Sequence, residues 1–281
     1  MRSDKIHARS RCQGALLQLL LTVVAVVFFC PFLWVLLNSF KGNTEIFSSP
    51  LALPKVFSLA NYAEALVKAN LLTYFVNSSL ITLTSVAILL VITSMASYIL
   101  ARFEFKLNFV IYMLFTLGYM IMGQAVLLPI FISLRDLGLL DKRLGLVVPY
   151  VALHVSINLM LITSYMRTIP KALEEAAIID GCSPAKIFTH VILPLAKPVL
   201  ATAATLDFLW IWNELLFALV IITTPALRTI PLGLLSLKSE FVVNYGAMSA
   251  GIILASIPVL CVFLLLQEQV VAGMTAGAVK G

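Results

Sequence analysis

An all-α, polytopic membrane fold with six transmembrane helices is predicted by three observations. Only 11% of the 281 residues are charged and 61% are hydrophobic, with a mean hydropathy of +1.05. A soluble domain would carry about 25% charged residues. Six apolar stretches, at about 15–39, 72–101, 107–133, 144–166, 197–222 and 246–267, each reach the ~20 residues that a bilayer core requires. None shows the period-two alternation of a membrane barrel, so helices must satisfy the backbone in lipid.

The elements follow in chain order. Arg2, Lys5, Arg9 and Arg11 precede an apolar run from about Ala15 to Leu37. That run is longer than the roughly 7–15 residues of a signal-peptide core, and no A-x-A cleavage site follows it. It is expected to remain as the first transmembrane helix. Pro31, Pro129, Pro149 and Pro258 fall inside spans, where neighbouring helices tolerate a kink. With the N-terminus inside, eleven Lys and Arg lie on the cytoplasmic side (Arg2, Lys5, Arg9, Arg11, Arg102, Lys106, Arg167, Lys171, Lys186, Lys197 and Lys280) against eight outside (Lys41, Lys55, Lys68, Arg135, Lys142, Arg143, Arg228 and Lys238). Around the first helix the ratio is four to one, and that helix usually dominates orientation. Both termini are therefore expected in the cytoplasm, with outer loops at about 40–71, 134–143 and 223–245.

Between the fourth and fifth spans lies a polar island, residues 167–197, with eight ionisable groups; the 84 residues after it hold seven. Lys171 to Ile179 is a run of good helix formers, with Leu173, Ala176, Ala177 and Asp180 near one face. Gly181 can take the left-handed conformation that ends a helix. Ser183-Pro184 restarts one as N-cap and first helical residue. Ile187, Phe188, Val191 and Ile192 give the second helix an apolar side, and Leu193-Pro194 is expected to stop it. The product is a short helix–turn–helix, too polar to span. It would either dock into a groove of a cytoplasmic partner or lie on the membrane surface.

Other chemistries find little support. The basic residues are scattered among loops, with no stripe to follow a phosphate backbone. Cys12, Cys30, Cys182 and Cys261 make neither a CxxC pair nor a cluster with histidine, which leaves them as small apolar residues. Neither HExxH nor GxSxG occurs. Within the membrane, Asp207, Glu214 and His154 each require partners or water. Asp207 and Glu214 are seven apart and so nearly on one face. With Trp212 and Asn213 they either line a translocation path suited to a sugar or cap neighbouring helices. His154 reads as an interhelical residue. Asn77-Ser78-Ser79 fits the N-glycosylation pattern but opens a span, which argues against modification.

The island carries Glu175-Ala176-Ala177, Gly181, then Val191-x-Leu193-Pro194, which resembles the EAA motif of binding-protein-dependent ABC importer permeases. Asn77-Ser78-Ser79, Ala101-Arg102-Phe103, Leu137-Gly138-Leu139-Leu140-Asp141, Trp212-Asn213-Glu214, Ile230-Pro231-Leu232-Gly233-Leu234 and the Thr275–Gly281 ending resemble the carbohydrate-uptake branch, in particular the second permease subunit of maltose-type transporters. Gln267-Glu268-Gln269 departs from relatives that carry a basic and an aromatic residue there, and Cys182 stands where a third small residue is common.

The resemblance implies three regions: residues 1–70 as N-terminal cytoplasmic segment, first transmembrane helix and outer loop; 71–267 as a type I ABC transmembrane domain; and 268–281 as a cytoplasmic tail. It implies coupling to an ATPase through Glu174, Glu175, Ala176, Ala177, Asp180, Gly181, Phe188, Leu193 and Pro194. No G-x-x-x-x-G-K-[ST] occurs in the chain, so ATP and magnesium are expected on partner ATP-binding subunits. The other implied partners are a second, homologous permease and an extracytoplasmic solute-binding protein. The function expected is a non-enzymatic permease subunit of an ATP-driven sugar importer in the bacterial inner membrane. The alternative is a proton-coupled carrier using Asp207, Glu214 and His154, although no repeat of the spans accompanies it.

Overall fold

The computed structural model describes residues 2–68, 70–235, 237 and 244–278, and side chains for 14, 17–67, 70–235, 237 and 244–267. The side chains of Arg2, Lys5, Arg9, Arg11, Cys12, Lys68, Lys238, Glu268, Gln269 and Lys280 lie outside these, as does the end of the 275–281 motif. Among the described residues the secondary structure is helical throughout. Four helices are long and apolar enough to cross a membrane: Leu17–Asn38, Leu71–Arg102, Leu144–Met166 and Tyr245–Gln267. Two bent pairs, Asn108–Tyr119 with Gly123–Asp136 and Pro184–Leu195 with Lys197–Asn213, bring the number up to six.

Two spans differ from the continuous helices expected. The third turns through 91° after Tyr119. Pro129 lacks the N–H that would bond the Ala125 carbonyl, and its ring would meet that carbonyl in a straight helix. The chain instead tightens into a 3₁₀ turn at Gly123–Val126 and restarts at Leu127, which leaves Pro129 in a first turn. The fifth span ends at Asn213, and Glu214 is extended (φ −69°, ψ 127°). A separate short helix, Leu216–Ile221, follows.

The chain forms two compact units, 1–69 with 236–254 and 70–235 with 255–281. In the first, residues 17–31 of the opening helix are all exposed, while the loop beyond is held by polar bonds. The Lys41 side chain is fully buried and donates to the Ser49 and Pro50 carbonyls at 3.2 and 3.4 Å. Asn61 donates to the backbone of Ser39 and Lys41.

The second unit packs the second, fourth and fifth spans into two apolar clusters. One gathers Ile81, Leu89, Leu146, Tyr150, Ile211 and Phe217. The other, at the end where the second and fourth spans finish, joins Tyr98, Ile162, Met166, Val199 and Ala203 to Ala177, Ile187 and Ile192 of the polar island.

Candidate functional site

The island folds as the helix–turn–helix expected. Ala172–Ile179 is its first helix, and Asp180 ends it. Gly181 takes φ +76°; its N–H donates to the Ile178 carbonyl and the Cys182 N–H to that of Ala177, both at 2.9 Å. These paired bonds cap the helix end, and the left-handed residue between them favours glycine. Ser183 is extended and its carbonyl accepts from Ile187 at 2.9 Å, with Pro184 at the first helical position. The Ser183 hydroxyl makes no cap bond.

Leu193-Pro194 does not stop the second helix. Residues Phe188–Ile192 form a π-turn in which the Leu193 N–H reaches the Phe188 carbonyl. That extra residue shifts the register ahead of Pro194, so the proline opens the next turn, Leu193–Leu195, instead of breaking one. The 73° bend comes at Ala196, just before Lys197–Asn213.

The nine island residues divide by direction. Ala177 is buried, Phe188 and Leu193 are half-buried, and Phe188 lies 5.2 Å from the Tyr98 ring. Glu174 also turns inward: its carboxylate is 2.5 Å from Arg102 Nε, with side chains 13% and 5% exposed. Arg102 donates to the Ile169 carbonyl at 2.9 Å, and the Tyr98 hydroxyl faces the same carboxylate. Glu175, Ala176, Asp180, Gly181 and Pro194 face outward. They share that surface with Leu173, Ile178 and Ile179, which are 44%, 61% and 86% exposed. The hairpin is thus rooted through one glutamate and presents the other beside bare aliphatic side chains.

The four residues proposed for a path do not share a face. Asp207 is buried and accepts from Asn158 Nδ2 at 2.6 Å, and its other oxygen lies 2.7 Å from His154 Nδ1. Glu214 lies beyond the helix, so the seven-residue spacing no longer aligns it with Asp207. It accepts from the Tyr150 hydroxyl at 2.6 Å and from the backbone of Phe217 and Ala218, capping Leu216–Ile221. Trp212 is buried, stacks on Phe208, and donates to the Ala255 carbonyl at 3.0 Å. Of the four, only Asn213 is exposed, bonded to the Leu209 carbonyl of its own helix. The interhelical reading of His154 is borne out by its contact with Asp207.

At the end of the spans opposite the hairpin, three of the sequence motifs meet. Asn77 donates to the Ala226 and Arg228 carbonyls at 2.8 and 3.0 Å and accepts two bonds from Arg143. The Ser78 hydroxyl accepts from the Ile230 N–H. Asp141 accepts from the Thr223 and Thr224 backbone and the Thr224 hydroxyl. Those bonds, the Thr224 hydroxyl first, lower the carboxyl pKa to about 2. Gly233 packs so closely on Tyr74 that a Cβ would sit 2.0 Å from the ring. Asn77, Ser78, Asp141, Ile230 and Gly233 belong to the motifs that carry the family resemblance, which by itself assigns them no contacts.

The family described as binding-protein-dependent transport system inner membrane component matches residues 91–275. The chain belongs to this family. It is 36% identical to a probable starch degradation products transport system permease protein of Thermoanaerobacterium thermosulfurigenes, over 98% of this chain and 99% of that one. It is also 36% identical to a trehalose/maltose transport system permease protein of Thermococcus litoralis, over 92% and 94% of the two chains. In fold it is similar to a chain of a bacterial ABC transporter that imports the acidic polysaccharide alginate, with TM-score 0.81, 24% identity, and 92% and 96% of the two chains covered.

The chain is accordingly an inner-membrane permease subunit of a binding-protein-dependent ABC transport system, a transport component and not an enzyme. Nothing in these likenesses supports the proton-coupled carrier, and the groups it would use are held in structural bonds.

Proposed function

We propose that this permease forms, with a second homologous permease, the translocation path for a sugar delivered by an extracytoplasmic binding protein. It is driven through the 167–197 hairpin by a dimer of separate ATP-binding subunits, which hold ATP and magnesium. Both termini are cytoplasmic on this reading. The observation that carries it is the division of the hairpin: Glu174 and Ala177 root it while Glu175, Ala176, Ile178 and Ile179 are presented outward. Exposed aliphatic side chains beside a carboxylate suit a protein groove with an apolar floor and a polar rim. The two relatives, permeases of transport systems for starch degradation products and for trehalose or maltose, support a sugar as substrate.

Gly181→Arg tests the drive. A Cβ at Gly181 meets nothing within 4 Å, so the substitution strains only the left-handed turn and places a bulky cation on the outward surface. The expected result is loss of ATPase subunits on co-purification, with the variant still in the membrane. Normal association and uptake would refute the assignment. Uptake of labelled oligosaccharides by cells expressing the complete importer tests the substrate class, and failure of every sugar in competition assays would refute it.

A further inference from the structure

At the hairpin end of the bundle a cavity of about 530 Å³ opens between the end of the second span, the following loop, the start of the third span and the end of the fourth. Arg102, Lys106, Arg167 and Lys171 line it, against one carboxylate, Glu104. Glu174 neutralises Arg102. Arg167 donates to the Leu100 carbonyl at 3.3 Å and lies 5.0 Å from the Tyr112 ring centre. Lys106 and Lys171 are exposed, and their ammonium groups make no hydrogen bond or ion pair among the described residues.

The far wall is apolar. Phe109 is 71% exposed and Met113 42%, on a half-span, Asn108–Tyr119, that buries no residue. Unpaired cations at the end of two spans, beside bare apolar side chains running into the membrane, match the two ends of a lipid.

We propose that this cavity binds the phosphate headgroup of an anionic phospholipid. Lys106 and Lys171 supply the unpaired charge, Arg167 is held beside them on Tyr112, and the acyl chains lie along Phe109 and Met113. A free phosphate would use the same cations but leave the apolar wall bare. The site depends on its place at the membrane surface, and not on which surface that is or on what the hairpin docks with.

The test uses the assembled importer in nanodiscs of phosphatidylcholine with a minor fraction of phosphatidylglycerol or cardiolipin. Native mass spectrometry and titration with fluorescent lipid then read retention. The anionic lipids are expected to be retained over phosphatidylcholine. Lys106→Gln with Lys171→Gln should weaken that retention by about fivefold for each lysine removed, about 25-fold together. The corresponding double substitution to Arg should preserve it. Both lysines are exposed, so thermal unfolding of the Gln pair should match wild type. Unchanged retention in the Gln pair, or equal retention of phosphatidylcholine, would overturn the proposal. So would displacement by millimolar inorganic phosphate, which marks a free-anion site. Loss of the ATPase subunits from the Gln pair with lipid retained would mark a protein contact and overturn it as well.

Discussion

The Arg102–Glu174 pair joins the hairpin to the second span, and Glu174→Ala is the perturbation that weighs it. The side chains are 5% and 13% exposed, so the substitution strands a guanidinium with little access to water. Breaking a buried pair by removing one partner costs about 3–5 kcal/mol. Arg102 keeps its bond to the Ile169 carbonyl and borders an open cavity, which puts the expected cost at the lower end, about 3 kcal/mol. Since about 1.4 kcal/mol is tenfold in an equilibrium, local opening of the hairpin should rise by about two orders of magnitude. Hydrogen exchange of the amides over residues 172–192 in the reconstituted importer measures that opening directly.

A second arm separates lost attraction from a stranded charge. Arg102→Met with Glu174→Met removes both charges and keeps apolar bulk, an exchange that is often neutral for a buried pair. The double variant should therefore exchange close to the wild-type rate. Two results would refute the reasoning: exchange in Glu174→Ala within threefold of wild type, or a double variant that opens as fast as the single one. The first would mean that Arg102 swings into water through the cavity and that apolar packing alone roots the hairpin.

Four further outcomes are expected. Gly233→Ala forces a methyl group into the Tyr74 ring and should destabilise the chain by about 1–3 kcal/mol, relieved by a smaller residue at Tyr74, as read by thermal unfolding in detergent. The Asp141 carboxyl, lowered to about 2 in the folded chain, is depressed below its unfolded value of about 3.9; its anchoring of Thr223 and Thr224 is complete above pH 4 and lost as pH falls through 2. Proteolysis of the 222–230 loop should therefore be flat from pH 7 to 4.5 and rise below it, a rise that Asp141→Asn abolishes by removing the transition. Asp207→Leu leaves His154 and Asn158 without their acceptor inside the membrane and should cost about 2–4 kcal/mol in unfolding assays, while His154→Gln should leave uptake insensitive to an uncoupler at constant ATP.

The spans were legible because lipid imposes a run of apolar residues that hydropathy reads directly. Their breaks were not, because composition is equally apolar on either side of Tyr119. Only Pro129 hinted at a bend, and its effect falls several residues upstream. Glu214 misled for a related reason. Counting seven from Asp207 presumes one continuous helix, whereas the chain turns extended there and uses the carboxylate to cap the next helix.

The Gly181 turn was legible because a left-handed residue has few substitutes. The unequal roles of Glu174 and Glu175 were not. Helical phase places Glu174 with buried Ala177, three residues on, but its partner Arg102 comes from the second span, beyond any local pattern. The same holds for Asn77, Asp141 and Ser78, each of which bonds into the 222–230 segment.

The hairpin's attachments determine what it can transmit on the proposed reading. Ala177, Ile187 and Ile192 lie in one cluster with Met166 and Ile162 of the fourth span and Val199 and Ala203 of the fifth. A push on Ile178 and Ile179 can be absorbed locally only by pulling those side chains out of the cluster. Exposing Ile187 and Ile192 alone would cost about 1.5–3 kcal/mol each, and parting Arg102 from Glu174 about 3 more. Moving the spans with the hairpin costs none of this, because the cluster travels intact. On that reading the second unit responds as a body, with compliance left to the bends at Ala196 and after Tyr119. Stiffening either bend, by restoring a straight helix there, should reduce uptake per ATP without releasing the ATPase, an outcome that Gly181→Arg cannot produce.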